Sequence, residues 1–250
     1  MQRQEEIDTL RSDVASALQL GESALRRIIE TPTLYAMVLR GLAQAVHEHA
    51  SAVLRLSSVE HVRSSKVLLR TMIESWIVAR YVEADPAGQR AASYIMQEPV
   101  EAKRFLVAIR RLAIRDPREG HTALASAGLS SLEDLEDHVA RLQDEIEEST
   151  RQGVPAFPKV ADCAKAVGLE VMYRSVYGFL LSEQVHAGAR DTLSGVLGNT
   201  ADDDDLHRVL ITTLFLLVQI LALTGEHFGR PDRDSLRPFE ERLGVVPLSS

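Results

Sequence analysis

A run of 17 uncharged residues, Val209–Gly225, constrains the fold more than any other feature of the chain. A segment this apolar has to be enclosed, by lipid or by other apolar surfaces. A membrane span needs about 20 predominantly apolar residues, whereas Thr212, Thr213, Gln219 and Thr224 dilute this run. It therefore reads as the central helix of a bundle. That reading requires other helices with apolar faces, and the composition supplies them, being 45% hydrophobic and 26% charged.

Those faces recur along the chain at helical spacing, and the period-two alternation and paired turn signals of a β-sheet are missing. Ile7, Leu10, Val14, Leu18, Leu25 and Ile28 mark an amphipathic helix over roughly residues 3–29. Thr31-Pro32 reads as an N-cap followed by proline at the first helical position. That start opens a helix through Met37, Val38, Leu42, Val46, Val53 and Leu54. A third helix runs from about Val62 to Ala84 and ends at Asp85-Pro86, because a residue before proline is pushed out of helical angles. Two helices split by Pro99 follow, the second reaching Arg115, before the breakers Asp116-Pro117 and Gly120. Ser130 with Glu133 has the spacing of a capping box, and Leu132, Leu135, Val139, Leu142 and Ile146 form a short heptad seam ending near Gly153. A short helix up to Gly168, a longer one over about Leu169–Ala189, a loop with Gly195 and Gly198, and the apolar helix after Asp202–Asp205 complete the chain. The fold class is all-α: a single irregular helical bundle with a protruding antiparallel helical hairpin. An N-terminal amphipathic helix (1–30) precedes the bundle (31–230, hairpin about 99–150), and a C-terminal tail (231–250) follows.

A net charge of −8 disfavours generic binding to nucleic acid. The single cysteine, Cys163, excludes an intramolecular disulfide and a zinc site built from several thiolates. It suits a reducing compartment, and the polar start Met-Gln-Arg-Gln-Glu-Glu lacks the apolar core of a signal peptide, so a cytoplasmic location is expected. Lys103, Arg104, Arg110, Arg111, Arg115 and Arg118 make the segment before and around Pro117 strongly basic. The next helix carries Glu133, Asp134, Glu136, Asp137, Asp144, Glu145, Glu147 and Glu148. A hairpin of complementary arms outweighs a phosphate-binding surface here, and Asp202–Asp205 read as helix capping rather than a cation loop.

Familiar catalytic signatures are absent: no phosphate-binding glycine loop, no dinucleotide fingerprint, no serine elbow. His47-Glu48-His49 places its histidines on different helix faces, which prevents joint chelation. A di-metal bundle needs two Glu-x-x-His motifs. Glu183 with His186 is one, with Asp204 and His207 an imperfect second, so a metal site there is only a weak alternative and no cofactor is expected. Three pairs match the Arg-x(4–6)-His spacing of metal-independent helical ribonucleases: Arg40 with His47, Arg55 with His61, and Arg115 with His121. The last, at a break between helices, carries the ribonuclease alternative.

Arg70 and Glu74 share one helix face with Ile77 and Tyr81, while the opposite face is also apolar, which places this helix centrally. On the helix from Leu169, Ser175, Phe179, Ser182 and His186 form a mixed stripe flanked by Glu183 and Arg190. The stretches Leu68-Leu69-Arg70-Thr71-Met72-Ile73-Glu74-Ser75 and Tyr177-Gly178-Phe179-Leu180-Leu181-Ser182-Glu183-Gln184-Val185-His186 resemble the hallmarks of a bacterial helical family, domain of unknown function 5677. Phe157-Pro158 leading to Ala166-Val167-Gly168-Leu169 is similar to its approach segment, and the resemblance spans roughly Leu34 to Phe228. It implies an all-helical cytoplasmic protein with Arg70, Glu74, Ser182 and His186 as the positions to watch, and it implies no reaction. These four residues point to a polar cavity for a small anion or a protein partner, without a membrane span; a homo-oligomer is compatible with this reading.

Overall fold

The computed structural model describes residues 2–25, 33–176, 203–228 and 233–244. These residues are helical and contain no strand. Ten helices are bounded among them: α1 (Gln2–Leu25), α2 (Leu34–Arg55), α3 (Val62–Glu83), α4 (Gln89–Ile95), α5 (Gln97–Arg115), α6 (Pro117–Ser126), α7 (Leu132–Arg151), α8 (Val160–Ala166), α9 (Asp203–Phe228) and α10 (Arg233–Leu243). Residues 59–61 form a 3₁₀ turn, and 170–176 are helical as well. The chain divides into two compact units, residues 1–86 with 159–250, and residues 87–158.

In the first unit, α9 is the apolar run anticipated above. It is long and apolar enough to cross a membrane by length and composition, yet it packs on α1, α2, α3 and α10. Leu210, Leu214, Leu216, Leu217 and Ile220 are fully buried there. Thr213 and Thr224 are buried too, and each donates its hydroxyl to a carbonyl one turn back, on Val209 and Ile220. This internal bonding lets a hydroxyl enter an apolar core without an unsatisfied donor. The α1 helix contributes Ile7, Leu10, Val14 and Ala17 to the same core, and α3 contributes Met72, Ile73, Trp76 and Ile77. His47, the first histidine of the His47-Glu48-His49 near miss, has a structural contact: its Nε2 donates to the Leu18 carbonyl at 2.9 Å, joining α2 to α1.

Several expected boundaries move by one to three residues. The cap of α2 is Thr33, whose hydroxyl accepts from the Ala36 amide; Thr31 and Pro32 lie outside the described residues. Pro99 does not split α4 from α5. The break falls at Met96, and Pro99 sits in the first turn of α5, where an amide has no intrahelical partner to lose. The cap of α7 is Ser131, not Ser130: its hydroxyl accepts from the Asp134 amide, while Asp134 accepts from the Ser130 amide. Hydrogen bonds to the Asp134 carboxyl from Ser130, first from its hydroxyl and then from its amide, hold that carboxyl below its ordinary range.

The second unit holds α4–α7. Asp116 ends α5 and caps α6, accepting from the amides of Arg118 and Glu119. Gly120 is not a breaker: it lies inside α6, buried against α5, where a Cβ would come within 2.2 Å of Ala113 Cα. A helix therefore occupies the connection between the hairpin arms. The arms α5 and α7 still pair, through Arg110 to Glu136 at 3.0 Å and Lys103 to Gln143. Seven residues back along α5 correspond to seven residues onward along α7, so the arms run antiparallel. Leu106, Ile109, Leu124, Leu129 and Leu135 form the core of this unit, with Ala123, Ala127, Val139 and Leu142 against it. Tyr94 meets Phe157 edge-on at 5.2 Å, and Ser93 donates to the Pro155 carbonyl, tying α4 to the segment after α7.

Candidate functional site

Helix α3 packs on α2, α8 and α9, so most of its circumference is buried. A polar stripe runs along it at every fourth residue, from the buried Lys66 to the partly exposed Arg70 and Glu74. Four-residue spacing stacks these side chains along one line of the helix. Arg70 donates from Nε to Glu74 Oε1 at 3.1 Å, the two side chains being 37% and 31% exposed. The intrahelical pair thus forms although arginine precedes glutamate, the weaker order for such pairs. Of the neighbours on that face, Ile77 is fully buried and Tyr81 half-buried.

Lys66 extends this stripe inward and was not singled out from the sequence. Its side chain is 3% exposed, and Nζ donates to Asp205 Oδ2 on α9 at 3.2 Å. A buried ammonium needs such a partner, because desolvation without one would neutralise it. Asp205 sits in the first turn of α9, where the helix dipole favours a carboxylate. Of the described aspartates Asp203–Asp205, the last two bind side chains of other helices. Asp204 accepts from Arg3 Nε at 2.8 Å, and Arg3 also reaches Glu6 at 2.9 Å, so α1 is fastened to the start of α9. His207 Nε2 lies 3.9 Å from Glu6. Burial, and then the nearby Arg3 charge, push the His207 imidazole below its ordinary value. Two buried polar atoms on α3, Ser65 Oγ and Trp76 Nε1, have no hydrogen-bond partner among the described residues, and the Trp76 ring meets Phe215 edge-on at 5.7 Å.

Of the four positions expected to share a cavity, the structure places Arg70 and Glu74 together. Ser182 and His186 lie outside the described residues, as does Glu183 of the weak metal alternative. Ser175, the first member of their stripe, is exposed. Among the described residues no three His, Cys, Asp or Glu side chains converge to hold a metal ion. Arg115, the last residue of α5, and His121, in the first half of α6, are both exposed on either side of the Asp116 cap. In the other Arg-His pairs, Arg40 donates to the Leu25 carbonyl and His47 to that of Leu18, while Arg55 donates to the Ser51 hydroxyl.

An all-α protein with a central helix bearing a Lys-Arg-Glu stripe is thereby defined. The chain belongs to a family of unknown function, DUF5677, whose profile matches residues 36–205. The match takes in α2–α8 and the opening of α9, including Lys66, Arg70, Glu74 and Asp205, and leaves α1 and α10 outside. No curated protein and no solved structure matches the chain.

Proposed function

We propose that the protein binds a small anion at the polar stripe of α3, with Arg70 as the anion contact. The observation that carries this reading is the geometry of Arg70 and Glu74. The Glu74 carboxylate takes the guanidinium at Nε, which fixes its plane, while more than a third of the arginine side chain stays exposed. A guanidinium oriented through Nε is suited to bidentate recognition of a phosphate or carboxylate. Lys66, neutralised by Asp205, adds structural support rather than a second anion contact. Ser182 and His186 belong to the reading through their sequence pattern, as a secondary contact and a pH-sensitive hydrogen-bond partner.

Calorimetric titration of the full chain with inorganic phosphate tests it. Arg70→Ala should weaken phosphate binding at least about tenfold, and Arg70→Lys should retain the charge but lose part of the affinity. Glu74→Gln should weaken binding without touching the anion, since it loosens the orientation of Arg70. Absence of heat with the wild-type protein, or equal affinity in wild type and a folded Arg70→Ala variant, overturns the reading. Thermal unfolding of each variant separates lost binding from lost structure.

A further inference from the structure

The arms of the second unit carry stripes of opposite charge with the same spacing. On α5, Arg104, Ala108, Arg111 and Arg115 recur at intervals of four, three and four residues; on α7, Glu133, Asp137, Ala140 and Asp144 do the same. All eight are exposed. At about 100° per residue, each stripe lies roughly opposite its own helix's core side chains. Those are Leu106, Ile109 and Ala113 on α5, and Leu135, Val139 and Leu142 on α7.

Around both helices the order is core, lateral contact, stripe, the lateral contacts being Arg110–Glu136 and Lys103–Gln143. Because the arms are antiparallel, the two stripes emerge on the same face of the α5/α7 layer. We infer that this face is a self-complementary docking surface for a second copy of the chain.

A two-fold axis parallel to the helices would lay α5 of one copy antiparallel on α7 of the other, twice. One register then sets Arg104 on the partner's Asp144, Ala108 on the partner's Ala140, Arg111 on the partner's Asp137 and Arg115 on the partner's Glu133. The alanines at matching positions let the helix axes approach closely, toward the lower end of the about 8–10 Å range.

The charge pattern also works against an uncovered face. Arg111 with Arg115, and Glu133 with Asp137, are like-charge pairs one turn apart, which destabilise an isolated helix. Among the described residues none of these four, nor Asp144, forms an ion pair, and Arg104 pairs only with Glu101 on its own helix. Between α5 and α7, Arg110 with Glu136 is the one ion pair among the described residues. Phe105, 59% exposed beside the basic stripe, adds apolar area at the same edge. A polyanion such as RNA would meet the acidic stripe on the same face, and this favours the second copy as occupant.

Sedimentation equilibrium of the full chain tests the surface. A dimer is expected at about 50 mM salt, with a dissociation constant at least about tenfold higher at about 500 mM. R111E/R115E and E133R/D137R should each be monomeric, since each places like charges across both contacts. Mixed in equal amounts they should form a heterodimer, because both contacts are then complementary again. The positions are on the surface, and circular dichroism checks that each variant keeps its helices; R111Q/R115Q repeats the loss without reversing charge.

A wild-type monomer at low salt, variants that dimerise like the wild type, or a mixture that stays monomeric overturns the inference. Binding of labelled single-stranded RNA by a wild-type monomer, lost in R111E/R115E, reassigns the basic stripe to nucleic acid.

Discussion

Gly120 and Lys66 show how single residues hold the helices in register. Placing Gly120 in the middle of α6 sacrifices helix propensity, which for alanine in its place would favour the helix by about 1 kcal/mol. The contact with α5 reverses that sign, because the atom a Cβ would meet first is Ala113 Cα, part of a backbone that cannot rotate aside. Gly120→Ala should therefore destabilise the protein by about 1–3 kcal/mol, read from urea denaturation; a stabilised variant would mean that α6 can move off α5 at little cost. Lys66 illustrates the limit of reading residues from sequence. Arg70 and Glu74 were legible because their partnership is local, four residues along one helix. The partner of Lys66 is 139 residues away, and no spacing rule connects them. A lysine in a helix otherwise flanked by buried positions was the one available signal, since the chain has only four lysines.

At the scale of elements, the apolar periodicities located the helices and the caps were displaced by small steps with a common cause. Where two hydroxyls are adjacent, as in Ser130-Ser131, or separated by one proline, as in Thr31-Pro32-Thr33, composition does not decide which takes the extended conformation of an N-cap. Ser131 and Thr33 do so in the structure. Pro99 and Gly120 were misread because each residue type has a helical use as well as a breaking one, the first turn for proline and close approach for glycine. The junction between α2 and α3 offers a test at this scale. Tyr35, near the start of α2, donates its hydroxyl to the Glu83 carbonyl at the end of α3 at 3.3 Å. Burial, reinforced by the charges of Glu83 and Asp85, pushes the phenol from 10.0 up to about 12. The folded protein then retains a proton that the unfolded chain releases above pH 10. Its contribution to stability is complete below that pH and is lost as pH rises toward about 12. Wild type should thus lose more stability than Tyr35→Phe between about pH 9 and about pH 12 in urea denaturation, other titrating groups being common to both. Parallel profiles would show that this hydroxyl is ionised as readily in the folded state as in the unfolded one.

For the whole molecule, the uncharged run from Val209 to Gly225 carried the reading of an all-α fold, because one helix so apolar demands several others around it. The structure supplies them as α1, α2, α3 and α10. The division into two units was less legible: Pro86 and Gly88 flank one boundary and Pro155 and Pro158 the other, but such residues also end single helices, and the second unit interrupts the first in sequence. The two units differ in what holds them. The first encloses α9 with apolar side chains from several long helices, including Ile7, Leu39, Met72 and Ile77, all fully buried. The large buried side chains of the second are five, Leu106, Ile109, Leu124, Leu129 and Leu135, of which only Leu135 is completely shielded, with smaller or partly buried ones such as Ala113, Val139 and Leu142 beside them. Fully burying a leucine contributes about 1.5–3 kcal/mol, so a core this small opposes chain entropy with a narrow margin. Cooperative units of one chain open with free energies set by their own buried contacts. Amide hydrogen exchange should accordingly show α5–α7 exchanging through an opening that leaves α3 and α9 protected, with α5–α7 losing protection at lower urea. If α5–α7 and α9 lose protection together at the same urea concentration, the chain opens as one cooperative body and the small core is sustained by more than its own side chains.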